Sequence, residues 1–322
     1  MLGLVVRRLL VAVVIAFLVA TLSFVLVHAA PGEPFAALRE DARITAEMQE
    51  RIRAQYGLDK PLGVQYVRYI GSLARGDFGE SFLQRRQVSS VLADALPNSL
   101  LLMATALVVA FALGVVLGAL QAYRRGSLFD GAVGGVSLTL ASVPEYLLAI
   151  TLLLFFAYLL PLFPTNGMSD PVMWRFMSPM QRLTDVARHL VLPATTLVLI
   201  IASVVARYQR AALLDVLPDD FVRTAKAKGL SRGRVLIHAL RNALLPTITL
   251  IGLLFPALFG GAVFVENVFG WPGMGRTIVE GLVARDYPLI MGSMVVGSVF
   301  VVVGGLVADL AAMSADPRTR AA

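Results

Sequence analysis

The sequence predicts an all-α, polytopic membrane protein with six spanning helices, and three observations point that way. Of the 322 residues, 57% are apolar and only 15% charged, whereas soluble domains carry roughly 45–50% apolar and 25% charged residues. The apolar residues are bunched into long uncharged runs, as in a chain that crosses a bilayer. The lysines and arginines of the short connecting segments gather mainly on one side of those runs, with a thinner set, Arg175, Arg182, Arg188, Arg276 and Arg285, on the other. Cysteine is absent, which excludes disulfides, thiolate nucleophiles and cysteine metal ligands. The net charge of +7 matches basic residues retained at a cytoplasmic edge, and nucleic acid is not an expected partner.

A spanning helix needs about 20 apolar residues, because about 30 Å of hydrocarbon is crossed at 1.5 Å per residue. Six stretches qualify: Leu9 to Val27, Ser99 to Ala122, Gly131 to Leu160, Leu190 to Ala206, Leu244 to Val265 and Pro288 to Ala312. The first also reads as a signal peptide, with Arg7 and Arg8 before it and Val27-His28-Ala29 behind. Its apolar core exceeds the roughly 7 to 15 residues of a signal h-region, so a retained helix is expected. The third is unusually long and contains Pro144, a potential kink; the fourth is the shortest.

Arg7 and Arg8, Arg124 and Arg125, and Arg318 and Arg320 all fall on one side of this arrangement. The segment between spans four and five shares that side, with Arg207, Arg210, Arg223, Lys226, Lys228, Arg232, Arg234 and Arg241 against Asp215, Asp219 and Asp220. Both termini are therefore expected in the cytoplasm. The expected organisation is an N-terminal spanning helix (1–30), an extracytoplasmic segment (31–98), a five-helix core (99–312) with a cytoplasmic loop at 207–243, and a cytoplasmic tail (313–322).

Outside the membrane, Ile44, Met48, Ile52 and Tyr56 recur at helical spacing before Gly57, and Pro61 opens a second helix with Val64, Val67 and Ile70 along one side. Gly76-Asp77-Phe78-Gly79 reads as a turn. This segment is either a small external cap or a contact for a soluble partner. The loop between spans four and five is more sharply punctuated. Pro218 suits a first helical position, Asp219 and Asp220 the first turn, Lys226 and Lys228 the last, and Gly229 the C′ position. Ser231 caps a second helix carrying Val235, Leu236, Ala239 and Leu240. Phe221 and Ala225, at i and i+4, form a small apolar face on the first helix. Such a helix is either held out for another protein, a plain basic loop, or a helix resting on anionic lipid.

The run FVRTAKAKGLSRGRVLIHALRNALLPT from Phe221 resembles the cytoplasmic loop of permease subunits of ATP-binding-cassette importers, in the dipeptide, oligopeptide and nickel branch. Further runs resemble that branch in the same order: GLDKPLGVQYVRYIGSLARGDFGESF from Gly57, ALPNSL from Ala95, Trp271-Pro272-Gly273-Met274-Gly275, and Asp316-Pro317-Arg318. The general importer signature has Glu-Ala-Ala where this chain has Arg223-Thr224-Ala225, keeps Gly229, and has its proline about one helical turn earlier than Pro246. The peptide branch departs in the same manner. No role is carried over from the absent glutamate.

The resemblance implies a type I importer permease-like bundle whose short helix couples to an ATPase through Phe221, Arg223, Thr224, Ala225, Lys226, Gly229, Leu230 and Arg234. It implies as partners a homologous second permease, two ATPases, an extracytoplasmic substrate-binding protein and membrane lipid, in a bacterial or archaeal cell membrane. The chain contains no G-x-x-x-x-G-K-[ST] phosphate loop, so ATP and magnesium are expected on the partners and no cofactor on this chain. Di- or oligopeptides are the expected cargo, with nickel chelates, glutathione and opines as alternatives. Glu145 and Glu266 are the candidate translocation-path residues, because intramembrane carboxylates face a cavity or a partner; a structural hydrogen bond is the competing role. His28, His189 and His238 lack metal spacing. A secondary carrier, the second alternative function, would use ionisable relays at mid-membrane, where charge is almost absent here, and an intramembrane enzyme would need paired aspartates or a motif such as H-E-x-x-H, which the spans lack.

Overall fold

The computed structural model describes residues 2–29, 59–254 and 262–315. Its helices are α1 (Leu2–Ala29), α2 (Leu62–Leu73), α3 (Val88–Tyr123), α4 (Leu128–Ser142), α5 (Glu145–Leu153), α6 (Pro179–Val216), α7 (Asp220–Ala227), α8 (Arg232–Leu254), α9 (Val263–Val268), α10 (Met274–Ala284) and α11 (Tyr287–Ala315). A π-helical turn (Leu154–Leu159) extends α5. Among the described residues there is no strand, only an isolated bridge between Glu80 and Gln87. The helix expected around Ile44 to Tyr56 and the Asp316-Pro317-Arg318 run lie outside the described residues.

Among the described residues four helices are long and apolar enough to cross a membrane: Leu10–Ala29, Val88–Tyr123, Pro179–Val216 and Tyr287–Leu306. A fifth candidate is the pair Leu128–Ser142 and Glu145–Leu159, bent by 104°. The expectation of six spans is thus not met among the described residues. The expected span Leu244 to Val265 begins inside α8 but runs through residues 255–261, which are not described.

The third expected span is corrected most. It is not one kinked helix but two, because Val143 stands before Pro144 and takes an extended conformation (φ −77°, ψ 130°). A residue preceding proline is disfavoured in the α region, so α4 stops there and α5 restarts at Glu145. The fourth, expected to be the shortest, belongs to the long α6. Ser178 and Gln181 form a capping box with Pro179 next in the chain, which fixes the start well before the apolar run. At 1.5 Å per residue a helix of 38 residues is about 57 Å long, well beyond the hydrocarbon thickness. Hydropathy registers the part within lipid, not the helix.

The chain divides into two compact units, Met1–Pro97 with Gly273–Val302, and Asn98–Pro272 with Val303–Ala322. In the first, Val88, Val91, Leu92 and Ala95 of α3 pack with Met274 and Leu289, while Phe24 and Val27 of α1 pack with Tyr287, Ile290 and Met291, and Tyr66 and Tyr69 of α2 lie against them. Asp286, fully buried, holds this unit's loops together. Its Oδ2 accepts from the Ser81 hydroxyl at 2.5 Å and from Leu83 N–H at 3.0 Å, and its Oδ1 accepts from Leu289 N–H at 3.1 Å, capping α11. Replacing Asp286 by Ala strands those donors. At about 1–3 kcal/mol for each buried group left unpaired, a loss of at least about 3 kcal/mol is expected. The midpoint of thermal unfolding in detergent should fall accordingly; an unchanged midpoint would show that the carboxylate does not hold the unit.

In the second unit α6 is the axis, contacted by α4, α5, α8 and α9. Gln209 of α6, fully buried, donates to Ala243 O at 3.3 Å and accepts from the Thr247 hydroxyl at 2.8 Å. Side-chain hydrogen bonds of this kind join helices where lipid offers no hydrophobic drive to associate.

Candidate coupling site and membrane carboxylates

The segment joining α6 to α8 forms the short helix α7. It begins at Asp220, not at Pro218, because Asp219 is extended (ψ 151°) and acts as the N-cap. Its carbonyl accepts from the N–H groups of Val222 at 3.0 Å and Arg223 at 3.1 Å. At the other end Gly229 N–H donates to Lys226 O at 3.0 Å and Leu230 N–H to Ala225 O at 3.3 Å. These two bonds, with φ +75° at Gly229, make a complete Schellman cap.

The helix has two unlike faces. Val222 and Ala225 are buried with Ala119 and Ala122 of α3, Leu213 of α6, and Val235, Ala239 and Ala243 of α8, and Leu230 packs against the same cluster. Phe221, by contrast, is 38% exposed. The expected pairing of Phe221 with Ala225 on one apolar face is therefore corrected: Val222 shares the buried face, and Phe221 points into the open. Arg223, Thr224, Lys226, Gly229 and Arg234 are also exposed. The Asp220–Arg223 ion pair, at 3.5 Å between side chains 96% and 75% exposed, contributes little in water. An aromatic side chain is thus presented on a helix whose other side is embedded in three longer ones.

A Cβ at Gly229 would meet nothing within 4 Å, so the burden of substitution there falls on the backbone alone. A β-branched residue is poorly tolerated at this φ. Gly229→Val should cost roughly 1–2 kcal/mol, the penalty of the left-handed region for a residue with a Cβ. Gly229→Asn should be milder, because asparagine tolerates this region. Hydrogen exchange of residues 220–230 measures it; equal protection in both variants would remove the Schellman cap as the reason for the glycine.

Elsewhere in this unit, α3, α4 and α6 are joined around a bidentate ion pair that the topological reading of the charges does not reveal. Asp130 accepts from Arg210 Nε and Nη2, both at 2.8 Å. It also accepts from Gly126 N–H at 3.0 Å, while the Ser127 hydroxyl caps Asp130 N–H at 3.3 Å. Gln121, 1% exposed, donates to Asp130 O at 3.2 Å. The Ser127-x-x-Asp130 spacing is a capping signature that would have revealed the acidic partner. By charge placement alone Arg210 reads only as a topological residue.

The two membrane carboxylates fall into different settings. Glu266 is fully buried in α9, and its Oε1 accepts from the Ser99 hydroxyl at 2.6 Å. Close by, Trp271 Nε1 donates to Asn98 O at 2.9 Å and Asn98 Nδ2 to Pro272 O at 2.8 Å. These bonds tie α9 and the turn after it to the start of the apolar part of α3. Glu145 is half-buried in the first turn of α5, at the 104° break, and its Oε1 is shielded without a hydrogen-bond partner. Exposed Tyr146 stands 6.3 Å, centroid to centroid, from exposed Phe264. Among the described residues no cluster of histidine and carboxylate side chains suits a metal ion. His28 bonds to Phe24 O and His189 to Asp185 O, each at 2.8 Å.

Comparison with known proteins bears on what this helix serves. Residues 114–321 match the family described as binding-protein-dependent transport system inner membrane component, and residues 1–103 match the N-terminal family of the same membrane components. The chain is 38% identical over 316 residues to the oligopeptide transport system permease protein AppB of Bacillus subtilis, covering 98% of both chains. It is 37% identical over 333 residues to the di/tripeptide transport system permease protein of Pseudomonas aeruginosa, covering 99% of both. To the dipeptide transport system permease protein of Escherichia coli K12 it is 34% identical over 336 residues, again with 99% of both covered.

Proposed function

Because the chain belongs to the family of binding-protein-dependent transport system inner membrane components, we propose that it forms half of a translocation pathway for di- or oligopeptides in a cell membrane. The observation that carries this is likeness along 98–99% of the chain to permeases named for oligopeptide, di/tripeptide and dipeptide transport. An external binding protein delivers the peptide, a homologous second permease completes the path, and two partner ATPases bind ATP and magnesium and supply the energy. The chain itself catalyses no reaction.

Coupling follows from the two faces of α7. An ATPase grips the exposed Phe221, together with the exposed Arg223, Lys226 and Arg234. Val222 and Ala225 pass the displacement to α3, α6 and α8, because a close-packed interior transmits strain instead of absorbing it. The Asp130–Arg210 pair keeps α4 moving with α6. Glu145, at the break between α4 and α5, lines the path, where a carboxylate without a protein partner is suited to meet cargo or water.

The test is uptake of labelled di- and tripeptides into cells lacking other peptide importers, with the chain expressed beside its binding protein, second permease and ATPases. Uptake that stops when the chain is deleted supports the proposal, and accumulation of a nickel chelate or glutathione but no peptide refutes the cargo. Topology is checked separately. In a chain without native cysteine, Glu80→Cys should react with an impermeant thiol reagent from outside and Lys228→Cys only from inside; labelling of both from one side would refute the orientation.

A further inference from the structure

A second site lies in the unit built from residues 1–97 and 273–302. There a chamber of about 210 Å³ opens beside Phe24, Tyr69, Phe78 and Tyr287, at the ends of α1 and α11 that the orientation above puts outside. Phe24 stacks on His28 with ring centroids 4.0 Å apart and on Tyr69 at 5.9 Å, and His28 lies 5.5 Å from the Tyr287 ring. Three charged side chains reach the same chamber: Arg68, Asp77 and Glu80. Asp77 spends one carboxylate oxygen on Gly79 N–H at 2.9 Å.

Two features mark the chamber as more than a packing gap. The Tyr69 hydroxyl is buried with no hydrogen-bond partner, an unfavourable arrangement unless something binds there. Burial, helped by the neighbouring Tyr66, pushes its pKa up to about 12, so it remains a donor at any physiological pH. The lining also follows the pattern of a small-ligand site, with apolar walls and a few convergent polar groups. Aromatic faces attract cations, and the two carboxylates add to that pull, yet Arg68 opposes a simple cation and welcomes an anion.

We propose that this chamber binds a compact zwitterion with an apolar body, its ammonium held by Asp77, Glu80 and the ring faces, its anionic end by Arg68, and a central oxygen by the Tyr69 hydroxyl. Two sources share that chemistry: a short peptide with free termini, and the phosphoethanolamine headgroup of a lipid. The peptide source rests on the function proposed above; the lipid source does not.

Binding is measured on the whole purified transporter. Calorimetry with phenylalanyl-alanine and its N-acetyl derivative, in detergent free of phosphatidylethanolamine, reads the first source. Native mass spectrometry after exchange into phosphatidylethanolamine or phosphatidylglycerol reads the second. At least one zwitterion should bind, and removing its ammonium, or substituting Asp77→Asn with Glu80→Gln, should weaken it about tenfold or more, equivalent to about 1.4 kcal/mol. Tyr69→Phe, which deletes only the hydroxyl, should weaken it severalfold, and with the acetylated probe it keeps the test decisive if the double variant does not fold. Binding of neither zwitterion, or binding indifferent to acetylation, headgroup and all three substitutions, overturns the proposal. Peptide uptake measured in parallel separates the two ideas: uptake without chamber binding refutes only the chamber, and lipid binding without peptide uptake refutes only the function.

Discussion

Gly118→Val should prevent α3 and α6 from docking. A Cβ at Gly118 would run into the backbone carbonyl of Ala206 and lie 2.8 Å from the Gln209 Cβ, and one at Gly114 would lie 2.6 Å from Val205 Cβ and Cγ1. The first obstacle is helix backbone, which cannot rotate aside as a side chain can. Overpacking costs about 1–3 kcal/mol even where side chains yield, so a loss of at least about 3 kcal/mol is expected here. Small residues four apart serve this purpose in membrane helices, where association depends on close backbone approach. Gly118→Val should therefore yield little folded protein in detergent, with Gly118→Ala between it and the native chain. A Val variant that unfolds at the native temperature would mean that α3 and α6 do not meet through this surface.

Phe221→Ala should uncouple the transporter while leaving the chain itself stable. The side chain is 38% exposed, so its truncation costs the isolated subunit little, whereas loss of an aromatic anchor at an interface hot spot costs about 2 kcal/mol or more. Co-purification of the ATPases should fall by roughly thirtyfold in affinity for that energy, at about 1.4 kcal/mol per tenfold, and uptake should fall with it. Val222→Ala is the informative contrast. Val222 is fully buried among α3, α6 and α8, so its truncation opens a cavity and should lower the unfolding midpoint by the equivalent of about 1–2 kcal/mol. A helix resting on anionic lipid would respond instead to removal of Lys226 and Lys228. Normal ATPase retention and uptake in Phe221→Ala would end the coupling assignment.

What the sequence could reveal of this site follows from where the information lies. The punctuation of α7 was readable because its start and stop use local chemistry: acidic residues in the first turn, lysines in the last, and a glycine that sits at φ +75°. Which side of α7 is buried was not readable from eight residues, since both Phe221 and Val222 are apolar and only the neighbouring helices choose between them. The Gly114-x-x-x-Gly118 spacing is present in the second span. It is a recognised signal for helix contact in an apolar run, although it names no partner. Glu145 and Glu266 were indistinguishable as intramembrane carboxylates, and it is Ser99, 167 residues away in the chain from Glu266, that gives one of them a structural role.

The sequence by itself determined that this chain is helical and membrane-bound, because burying apolar runs in lipid demands that every backbone N–H and C=O be satisfied within its own helix. It also determined where α7 starts and stops within two residues, because caps act over one turn. Tertiary structure alone decided that the third apolar stretch turns through 104° at Ser142–Glu145, that α6 continues far past its apolar core, and that Asp130 meets Arg210 across 80 residues. Hydropathy is a property of composition along the chain and sets what must be in lipid. Direction, partners and the satisfaction of buried charge depend on groups that only folding brings together.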